Sequence, residues 1–360
     1  MPPERRVTPK NPLWAATERL LTFFRPAPVR RGWRMPTGHA WQPAIAVEAL
    51  LAAYEVTARD RYLDVVAASF RRYRGRRSRF CDDDGWYLNA WLHAFDVTGE
   101  PRYLAEAEAL FAAMAEYWDP VCGGGVWWRR DRSYKNAITN ELFLLAAARL
   151  ARRAGTDRAE RYLAWAQRAW AWFRDSGMIG SADLVNDGLD AGCRNNGETT
   201  WTYNQGVILA GLAELWLATG EPELLEWARR VADGAIRTLV HPDGVLCEPG
   251  EAELVSGAAV NRDAHAFKGI FVHGLARLAE APGSRPAGLE RTAFDPAPYR
   301  AFIARNADSL VRRAGDGAGG YGLSWVGPPG PVDAATQASA CLLLGAAARI
   351  GTGGDARGPM

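Results

Sequence analysis

The chain has 360 residues, with 43 Lys and Arg against 41 Asp and Glu and a formal net charge of +2. This balance argues against a nucleic-acid-binding protein, which usually carries a strong basic excess on one face. Hydrophobic residues make up 48% of the chain and charged residues 23%, which excludes a disordered protein and is typical of a globular one.

Helical periodicity dominates the sequence, because apolar residues recur at spacings of three and four in segments rich in Ala, Leu, Glu and Arg. No sustained β-branched alternation is present. The periodicity predicts an all-α protein with helices over 11–24, 41–57, 60–74, 84–98, 101–118, 136–153, 157–176, 201–219, 221–239, 264–281, 296–313 and 332–350.

A repeat runs through these helices. A helix ends in Thr-Gly or a similar stop, and an acidic residue and Pro open the next one, as at 94–104 and 215–225. Gly suits the position after a helix, and Pro suits its first turn. Six such hairpins predict an (α/α)6 toroid in a single domain over 1–360, with flexible tails at 1–10 and 351–360. Closure is favoured over an open α-solenoid because the first and last helices can pair and neither resembles a polar cap.

The longer connections enter the helices that we expect to be the inner ones. They cover 75–84, 119–135, 177–200, 240–263 and 314–331 and are rich in Gly, Asp and Asn. Loops of this length in a compact domain are usually functional, so we expect them to cluster at one mouth of the toroid.

The termini and cysteines bear on location. No apolar run reaches the ~18–20 residues of a membrane span. Glu18 and Arg19 interrupt the first apolar stretch, so no signal peptide is predicted. The five Cys are far apart and form no Cys-x-x-Cys, which predicts neither a zinc site nor a disulfide framework and fits a reducing compartment. We expect a cytoplasmic location, and leave export by an unseen upstream segment open.

The sharpest local feature is the run Asp82-Asp83-Asp84-Gly85-Trp86 at the start of a predicted inner helix. Acidic residues there can simply cap free N–H groups and suit the helix dipole. Adjacent carboxylates in one pocket also have pKa values pushed apart, so one can attack while the other holds a proton. This division of roles is the chemistry of glycoside hydrolysis, and it needs neither metal nor cofactor.

Three further clusters open predicted inner helices, and they combine amides, carboxylates and aromatic rings. Each has a simpler explanation as helix caps, core aromatic residues or a solvated helix end, but together they predict a polar cup lined by aromatic side chains. Flat indole faces suit the C–H faces of sugars, and amides and carboxylates suit their hydroxyl groups. The candidate sugar-binding residues are Trp86, Trp127, Trp128, Asn136, Asn140, Glu141, Asp187, Trp201, Tyr203, Asn204, Gln205, Phe267 and Lys268.

These motifs, taken in order, resemble glycoside hydrolase family 76, a family of endo-α-1,6-mannanases with an (α/α)6 barrel. The resemblance rests on Asp82-Asp83-Asp84-Gly85-Trp86, Cys122-Gly123-Gly124-Gly125-Val126-Trp127-Trp128, the run 135–144, Thr202-Tyr203-Asn204-Gln205-Gly206 and Phe267-Lys268-Gly269-Ile270-Phe271. It extends from about residue 40 to 281 and more weakly to the end.

The resemblance implies a retaining mechanism with Asp82 as nucleophile and Asp83 as general acid and base. It also implies an α-1,6-linked mannan or mannooligosaccharide as substrate, and no cofactor. Cys81 and Asp84 depart from the residues common in the family, where an aromatic residue and Glu stand. A shift of the catalytic pair to Asp83 and Asp84 is therefore the alternative register.

Three other functions stay open from the sequence. A transglycosylase would pass the same covalent intermediate to a sugar hydroxyl, and a non-catalytic mannan-binding protein would need the Trp residues but not the Asp pair. A terpenoid cyclase also carries an Asp-rich motif, but its cavity should be apolar. No metal site is predicted, since the five His show no metal-binding spacing, and a monomer is expected.

The 15 Trp residues divide into two predicted groups. Trp86, Trp127, Trp128 and Trp201 stand beside carboxylates and amides at inner-helix starts and are expected to face a sugar. The group expected to pack between helix layers comprises Trp165, Trp170, Trp172, Trp216 and Trp227.

Overall fold

The computed structural model describes residues 11–26, 33–34, 39–286, 288 and 292–352. The chain forms two compact units. The described residues within Met1–Arg74, Val240–Ala276 and Ala297–Met360 form the first unit, and Gly75–Leu239 with Arg277–Pro296 forms the second. The first ten residues and 353–360, at the predicted tails, lie outside the described residues, and the single domain predicted from the sequence stays a prediction.

The second unit consists of three consecutive helical hairpins. Their helices are α4 (Cys81–Thr98), α5 (Pro101–Ala115), α6 (Ala137–Ala151), α7 (Thr156–Asp175), α8 (Thr202–Thr219) and α9 (Pro222–Thr238). Helix α6 packs against both α4 and α8, and each of these three inner helices carries its own outer partner.

Sequence composition explains which helices lie inside. Helix α6 carries apolar residues on all of its sides, and every residue from Ala137 to Leu150 is buried. Helix α9 instead alternates buried positions such as Leu224, Leu225 and Ala228 with charged ones, so only one face can pack. An all-round apolar helix is stable only when neighbours cover it, which places α6 between two hairpins.

The predicted stop and start signals are confirmed. Gly99 and Gly220 end α4 and α8 with φ of 69° and 78°, a left-handed conformation that L side chains adopt only with strain. Pro101 and Pro222 then open α5 and α9 in the first turn. The short hairpin turns therefore follow from local chemistry alone.

The first unit contains the first and the last of the described helices. It holds α1 (Pro12–Leu21), α2 (Gln42–Thr57), α3 (Asp60–Tyr73), α10 (Glu251–Ser256), most of α11 (Ala264–Glu280), α12 (Ala297–Arg313) and α13 (Ala334–Thr352), with a two-residue antiparallel pair of β1 (Arg25–Pro26) and β2 (Trp33–Arg34). Helix α13 packs against α1, α2 and α12, so the predicted pairing of the first and last helices is confirmed.

All twelve predicted helices are present, with ends within three residues of the prediction. Helix α4 begins at Cys81 and not at residue 84, so all three aspartates lie within its first turn. Helix α10 was missed because six residues inside a polar loop are too short to show a period. Among the described residues, no helix combines the length and the apolar character needed to cross a membrane.

Candidate active site

Three long loops of the second unit meet beside the N-terminal ends of α4, α6 and α8. Isolated β-bridges join Phe80 to Arg129 and Asn136 to Gly188. A disulfide joins Cys122 in the second loop to Cys193 in the third. Three of the five long loops therefore lie together, and the single mouth expected for all five stays a prediction.

The Cys122–Cys193 bond corrects the expectation of cysteines without a disulfide. The two residues are separated by 71 positions, but their Cα atoms lie 5.2 Å apart because the two loops fold against each other. Spacing along the sequence could not reveal this proximity. The argument for a reducing compartment from cysteine usage is thereby lost, while Cys81, Cys247 and Cys341 stay unbridged.

The triple glycine explains how the second loop lies so close to the helices. Gly125 has a φ of 90°, and a Cβ there would lie 2.4 Å from the ring of Trp172. The indole N–H of Trp172 also donates a hydrogen bond to the carbonyl of Cys122 at 2.9 Å. Trp172 thus supports the loop and does more than pack between helix layers.

Asp82 accepts hydrogen bonds from groups that favour its charged form. Its Oδ1 receives the backbone N–H of Asp83 at 3.0 Å, and the indole of Trp128 donates to the same carboxyl group. Burial, and next the negative charge of Asp83, nevertheless raise the pKa of Asp82 well above its ordinary value. The two adjacent carboxyl groups therefore resist being charged together.

Asp83 and Asp84 have different partners. The hydroxyl of Ser78 donates to Asp83 Oδ2 at 2.7 Å. Asp84 pairs with Arg130 at 2.7 Å and accepts the backbone N–H of Ser78 at 2.9 Å. Burial raises the pKa of Asp84, against the opposing effects of Ser78 and Arg130. Both oxygens of Asp84 are thus engaged by groups of the protein.

The two neighbouring tryptophans are held in different ways. Trp128 contacts Asp82 through its indole N–H, and its ring packs on Phe80 with centroids 4.8 Å apart. The indole N–H of Trp127 donates to Asp119 at 2.6 Å, and the Lys135 ammonium lies 4.6 Å from the centroid of its ring. Lys135 also bonds Asp119 Oδ1 at 2.9 Å, which locks this corner of the loop.

Asn140 and Gln205, both predicted to bind sugar, hold loop backbone. Asn140 Oδ1 accepts the N–H of Val126 at 2.7 Å, and its Nδ2 donates to the carbonyl of Val126 at 3.0 Å. Gln205 binds both backbone groups of Val185 at 2.7 and 2.8 Å. Each helix amide therefore acts as a two-pronged clamp on the loop that precedes its helix.

The first unit has related contacts, in which a helix amide accepts the backbone N–H of one loop residue. Asn306 Oδ1 accepts the N–H of Leu246 at 2.8 Å, and Gln337 Oε1 accepts the N–H of Tyr321 at 3.0 Å. Each clamped residue belongs to an isolated β-bridge inside a long loop. Helix amides therefore hold loop backbone in both units.

Asn136 and Asp187 lie together in the second unit. Asn136 caps α6, accepting the N–H of Thr139 at 3.3 Å, as the capping alternative predicts. Its backbone pairs with Gly188, the neighbour of Asp187. Tyr134 donates to Asp187 Oδ2 at 2.6 Å, and burial raises the pKa of Asp187.

Glu141 and Asn204 are unusual because they are fully buried without a hydrogen-bond partner. Neither oxygen of Glu141 and neither polar atom of the Asn204 side chain is paired. Burial, and next the charge of Asp187, raise the pKa of Glu141 well above its ordinary value. Unpaired polar groups in a core cost stability, so their presence here indicates a role other than packing.

The remaining aromatic candidates of the second unit lie at the starts of α4 and α8. Trp86 on α4 stacks with Tyr203 on α8, with centroids 6.5 Å apart, and only 7% and 9% of the two residues is exposed. Trp201 is half-buried, and its carbonyl accepts Gln205 Nε2 at 3.0 Å. These rings bring aromatic surface close to the starts of the inner helices.

Phe267 and Lys268 belong to the first unit. Phe267 stacks on Trp41 with centroids 6.2 Å apart. Lys268 is 1% exposed and pairs with Glu251 at 2.6 Å, so the alternative of a solvated helix end is wrong. Donor atoms of His241, Cys247 and Glu251 lie within 4.8 Å of one another and offer metal-ligand types, but the Lys268 ammonium already occupies one Glu251 oxygen.

Sequence reasoning missed the residues that hold the candidates in place, namely Ser78, Arg130, Tyr134 and Asp119. Ser78 and Arg130 stand in charged surface-like segments that carry no periodic or motif signal. Arg130 contacts Asp84 on α4 across 46 positions, so only folding of the loops could identify it.

Adjacent aspartates in the first turn of a helix, one of them bonded by the indole of Trp128, fit the two-carboxylate chemistry of a glycoside hydrolase. The sequence model of glycosyl hydrolase family 76 matches residues 14–336. The chain therefore belongs to glycosyl hydrolase family 76.

Known relatives agree with this membership. The chain is 34% identical over 193 residues to a mannan endo-1,6-alpha-mannosidase of Saccharomyces cerevisiae, covering 50% of this chain and 41% of the relative. A second such enzyme of the same yeast is 30% identical over 240 residues, covering 63% and 49%. The chain thus spans about half the length of the curated relatives it matches.

Solved structures show the same fold. The α-1,6-mannanase of Salegentibacter sp. has a TM-score of 0.78 and 25% identity, covering 94% of this chain and 98% of that one. An inactive variant of that enzyme, with two aspartates at consecutive positions replaced by asparagine, was solved in complex with α-1,6-mannotriose and gives a TM-score of 0.77. The all-α, (α/α)6 fold class predicted from the sequence is confirmed, and the terpenoid cyclase alternative is wrong.

Proposed function

We propose that the protein cleaves α-1,6-mannosidic linkages in mannan or mannooligosaccharides with retention of configuration. Asp82 is the nucleophile and Asp83 the general acid and base. The observation that carries this proposal is the adjacent pair in the first turn of α4, in a family whose Salegentibacter member is inactive when two consecutive aspartates are replaced.

The reaction has two steps. In the first, a carboxylate oxygen of Asp82 forms a bond to the anomeric carbon, the glycosidic C–O bond breaks, and Asp83 gives its proton to the departing oxygen. In the second, Asp83 takes a proton from water, the oxygen of that water bonds to the anomeric carbon, and the bond to Asp82 breaks. Two inversions restore the starting configuration.

The hydrogen bonds support this assignment of roles. Asp82 faces the backbone N–H of Asp83 and the indole N–H of Trp128, and donors of this kind stabilise an attacking carboxylate. Because both of its oxygens are held by Arg130 and Ser78, Asp84 is poorly placed to react. This favours the Asp82 and Asp83 register over Asp83 and Asp84.

Sugar contacts are proposed for the aromatic and unpaired polar candidates. In the second unit, the ring faces offered to mannose are those of Trp86, Tyr203, Trp127 and Trp201. Phe267 of the first unit stays a predicted sugar contact. Among the polar candidates, Asp187, Glu141 and Asn204 retain bonding capacity that the protein does not use. The other candidates bind groups of the protein, so we propose that they support sugar binding indirectly by holding those groups in place. They are Asn136, Asn140, Gln205, Lys268 and Trp128.

The test is a product profile on linear α-1,6-mannooligosaccharides of defined length, with the anomer recorded by NMR at early times. We expect the α anomer as first product from the wild type, and no turnover by Asp82→Asn or Asp83→Asn. Asp131→Asn, an exposed aspartate of the same unit, is the matched control and should keep full activity. Undiminished cleavage by both pair variants would contradict the assignment.

Azide distinguishes the two roles. With an activated aryl mannooligosaccharide, Asp83→Ala should give the α-mannosyl azide, because azide intercepts the covalent intermediate. Asp82→Ala should give the β-mannosyl azide by direct attack at the vacated site. The opposite pattern would exchange the roles.

The same assay separates the other functions. A transglycosylase would give products longer than the substrate at high acceptor concentration, and a mannan-binding protein would bind without turnover.

The monomeric state, the lack of nucleic-acid partners and the independence from cofactors stay predictions. The cytoplasmic location also stays a prediction, although the Cys122–Cys193 disulfide favours an oxidising compartment.

A further inference from the structure

Ser78 lies at the centre of the contacts around the aspartate run. Its side chain and both of its backbone polar groups each bind a different residue. The hydroxyl donates to Asp83 Oδ2 at 2.7 Å, the backbone N–H to Asp84 Oδ1 at 2.9 Å, and the carbonyl accepts Arg130 Nε at 2.6 Å. No sequence motif marks this residue.

The direction of the hydroxyl is fixed. Ser78 Oγ accepts the backbone N–H of Phe80 at 3.1 Å, so a lone pair of the oxygen is occupied on that side. The hydroxyl hydrogen is then directed at Asp83. The bond from Phe80 thus holds Oγ in place, and the hydroxyl donates to the carboxyl group of Asp83.

The backbone of Ser78 is also fixed, since it closes a ring with an ion pair. Arg130 Nη2 binds Asp84 Oδ2 at 2.7 Å, and the same guanidinium holds the Ser78 carbonyl. The guanidinium lies 4.7 Å from the ring centroid of Tyr117, and the Asp84 side chain is only 5% exposed. Charged hydrogen bonds in a closed, poorly solvated ring hold their geometry well.

We propose that Ser78 is a positioning residue for Asp83, held in place by the Asp84–Arg130 ion pair. Its hydroxyl orients the carboxyl group and stabilises the carboxylate that forms when Asp83 gives its proton to the departing sugar oxygen. The third aspartate of the run then serves as an anchor for the second. This inference rests on the proposed function and adds a residue to its machinery.

The effect of the Ser78 hydroxyl should depend on the leaving group of the substrate. Stabilising the Asp83 carboxylate helps only when the departing oxygen needs a proton. Removal of the hydroxyl should therefore slow cleavage of a sugar–sugar bond and spare an aryl glycoside whose leaving group departs unprotonated. A merely structural role would slow both substrates equally.

The experiment compares kcat/KM for an α-1,6-mannotetraose and for a 2,4-dinitrophenyl α-1,6-mannooligosaccharide. We expect Ser78→Ala to lower the first by roughly 10- to 100-fold, the factor that a hydrogen bond to a charged group corresponds to, and the second by less than about threefold. Ser78→Thr keeps the hydroxyl and should recover most of the loss. The matched control is Ser133→Ala, an exposed serine whose hydroxyl donates to Asp131 at 2.6 Å, and it should change neither value.

Equal losses on both substrates, or no loss on either with an active wild type, would overturn the positioning role. An inactive wild type on both substrates would instead overturn the proposed function. If Ser78→Ala does not fold, Ser78→Cys keeps the volume with a weaker donor, and the same comparison decides between the outcomes.

Discussion

Replacing Asn140 by alanine should release the glycine-rich loop from α6. In the wild type, Asn140 is 2% exposed and Val126 is completely buried, and the amide binds both backbone groups of Val126 at 2.7 and 3.0 Å. The third bond runs from Nδ2 to the carbonyl of Asn136 at 2.8 Å. Asn136 is the N-cap residue, so its carbonyl also accepts a backbone hydrogen bond of helix α6 and keeps a partner in the variant.

The cost follows from the two Val126 groups. A buried donor or acceptor that loses its partner costs roughly 1–3 kcal/mol. Two such groups predict a loss of about 3 kcal/mol in the free energy of unfolding, after some rehydration of the loop. Because the clamp is local, amide exchange in residues 119–127 should accelerate by about a hundredfold, the factor that corresponds to this energy.

The assay is hydrogen–deuterium exchange with mass spectrometry, read together with thermal unfolding. Asn195→Ala is the matched control, since this exposed amide also binds backbone, at 2.9 Å to the carbonyl of Gly177, but water can replace it. The clamp is refuted if Asn140→Ala leaves exchange and unfolding unchanged and only raises KM for mannooligosaccharides. That result would return Asn140 to the sugar-binding role predicted from the sequence.

Two further predictions concern the buried Glu141 and the disulfide. Glu141→Gln should stabilise the protein at neutral pH. The folded state keeps Glu141 protonated above its ordinary pKa of 4.5, whereas the unfolded state releases the proton. Between the unfolded and the folded pKa, the stability of the wild type therefore falls by about 1.4 kcal/mol for each unit of rising pH. Urea unfolding at pH 4 and pH 7 checks this, and an equal difference at both would contradict it. Cys193→Ser should lower stability by up to about 4 kcal/mol, since the bond to Cys122 closes a loop of 71 residues, whereas Cys247→Ser at an unbridged thiol should not. Thermal unfolding of both variants under non-reducing conditions measures the difference, and equal effects would contradict the disulfide.

The repeated clamps explain how long irregular loops can be ordered in this fold. Asn140, Gln205, Asn306 and Gln337 each bind the backbone of a residue in a preceding or adjacent loop. A buried loop must satisfy its own backbone groups, and a side-chain amide supplies one acceptor and two donors for that purpose. Loops around the aspartate pair can therefore be long without being free to move.

Local sequence patterns are enough to define the helices and their order. Period, glycine stops and proline starts act within a few residues, so Gly99 and Pro101 define a turn wherever the hairpin lies. The aspartate run was visible for the same reason, since adjacent residues in a first helical turn are neighbours in any fold.

The roles of the polar side chains follow from contacts between distant segments and not from local patterns. Asn140 could bind sugar or backbone, Asp84 could react or anchor, and Cys122 could be free or paired, and each choice depends on a partner brought near by folding. Arg130 reaches Asp84 across 46 positions and Cys193 reaches Cys122 across 71. Such pairings depend on how the loops pack over α4, α6 and α8, because a hydrogen bond requires contact within about 3 Å and local sequence patterns carry no information on contacts at that range.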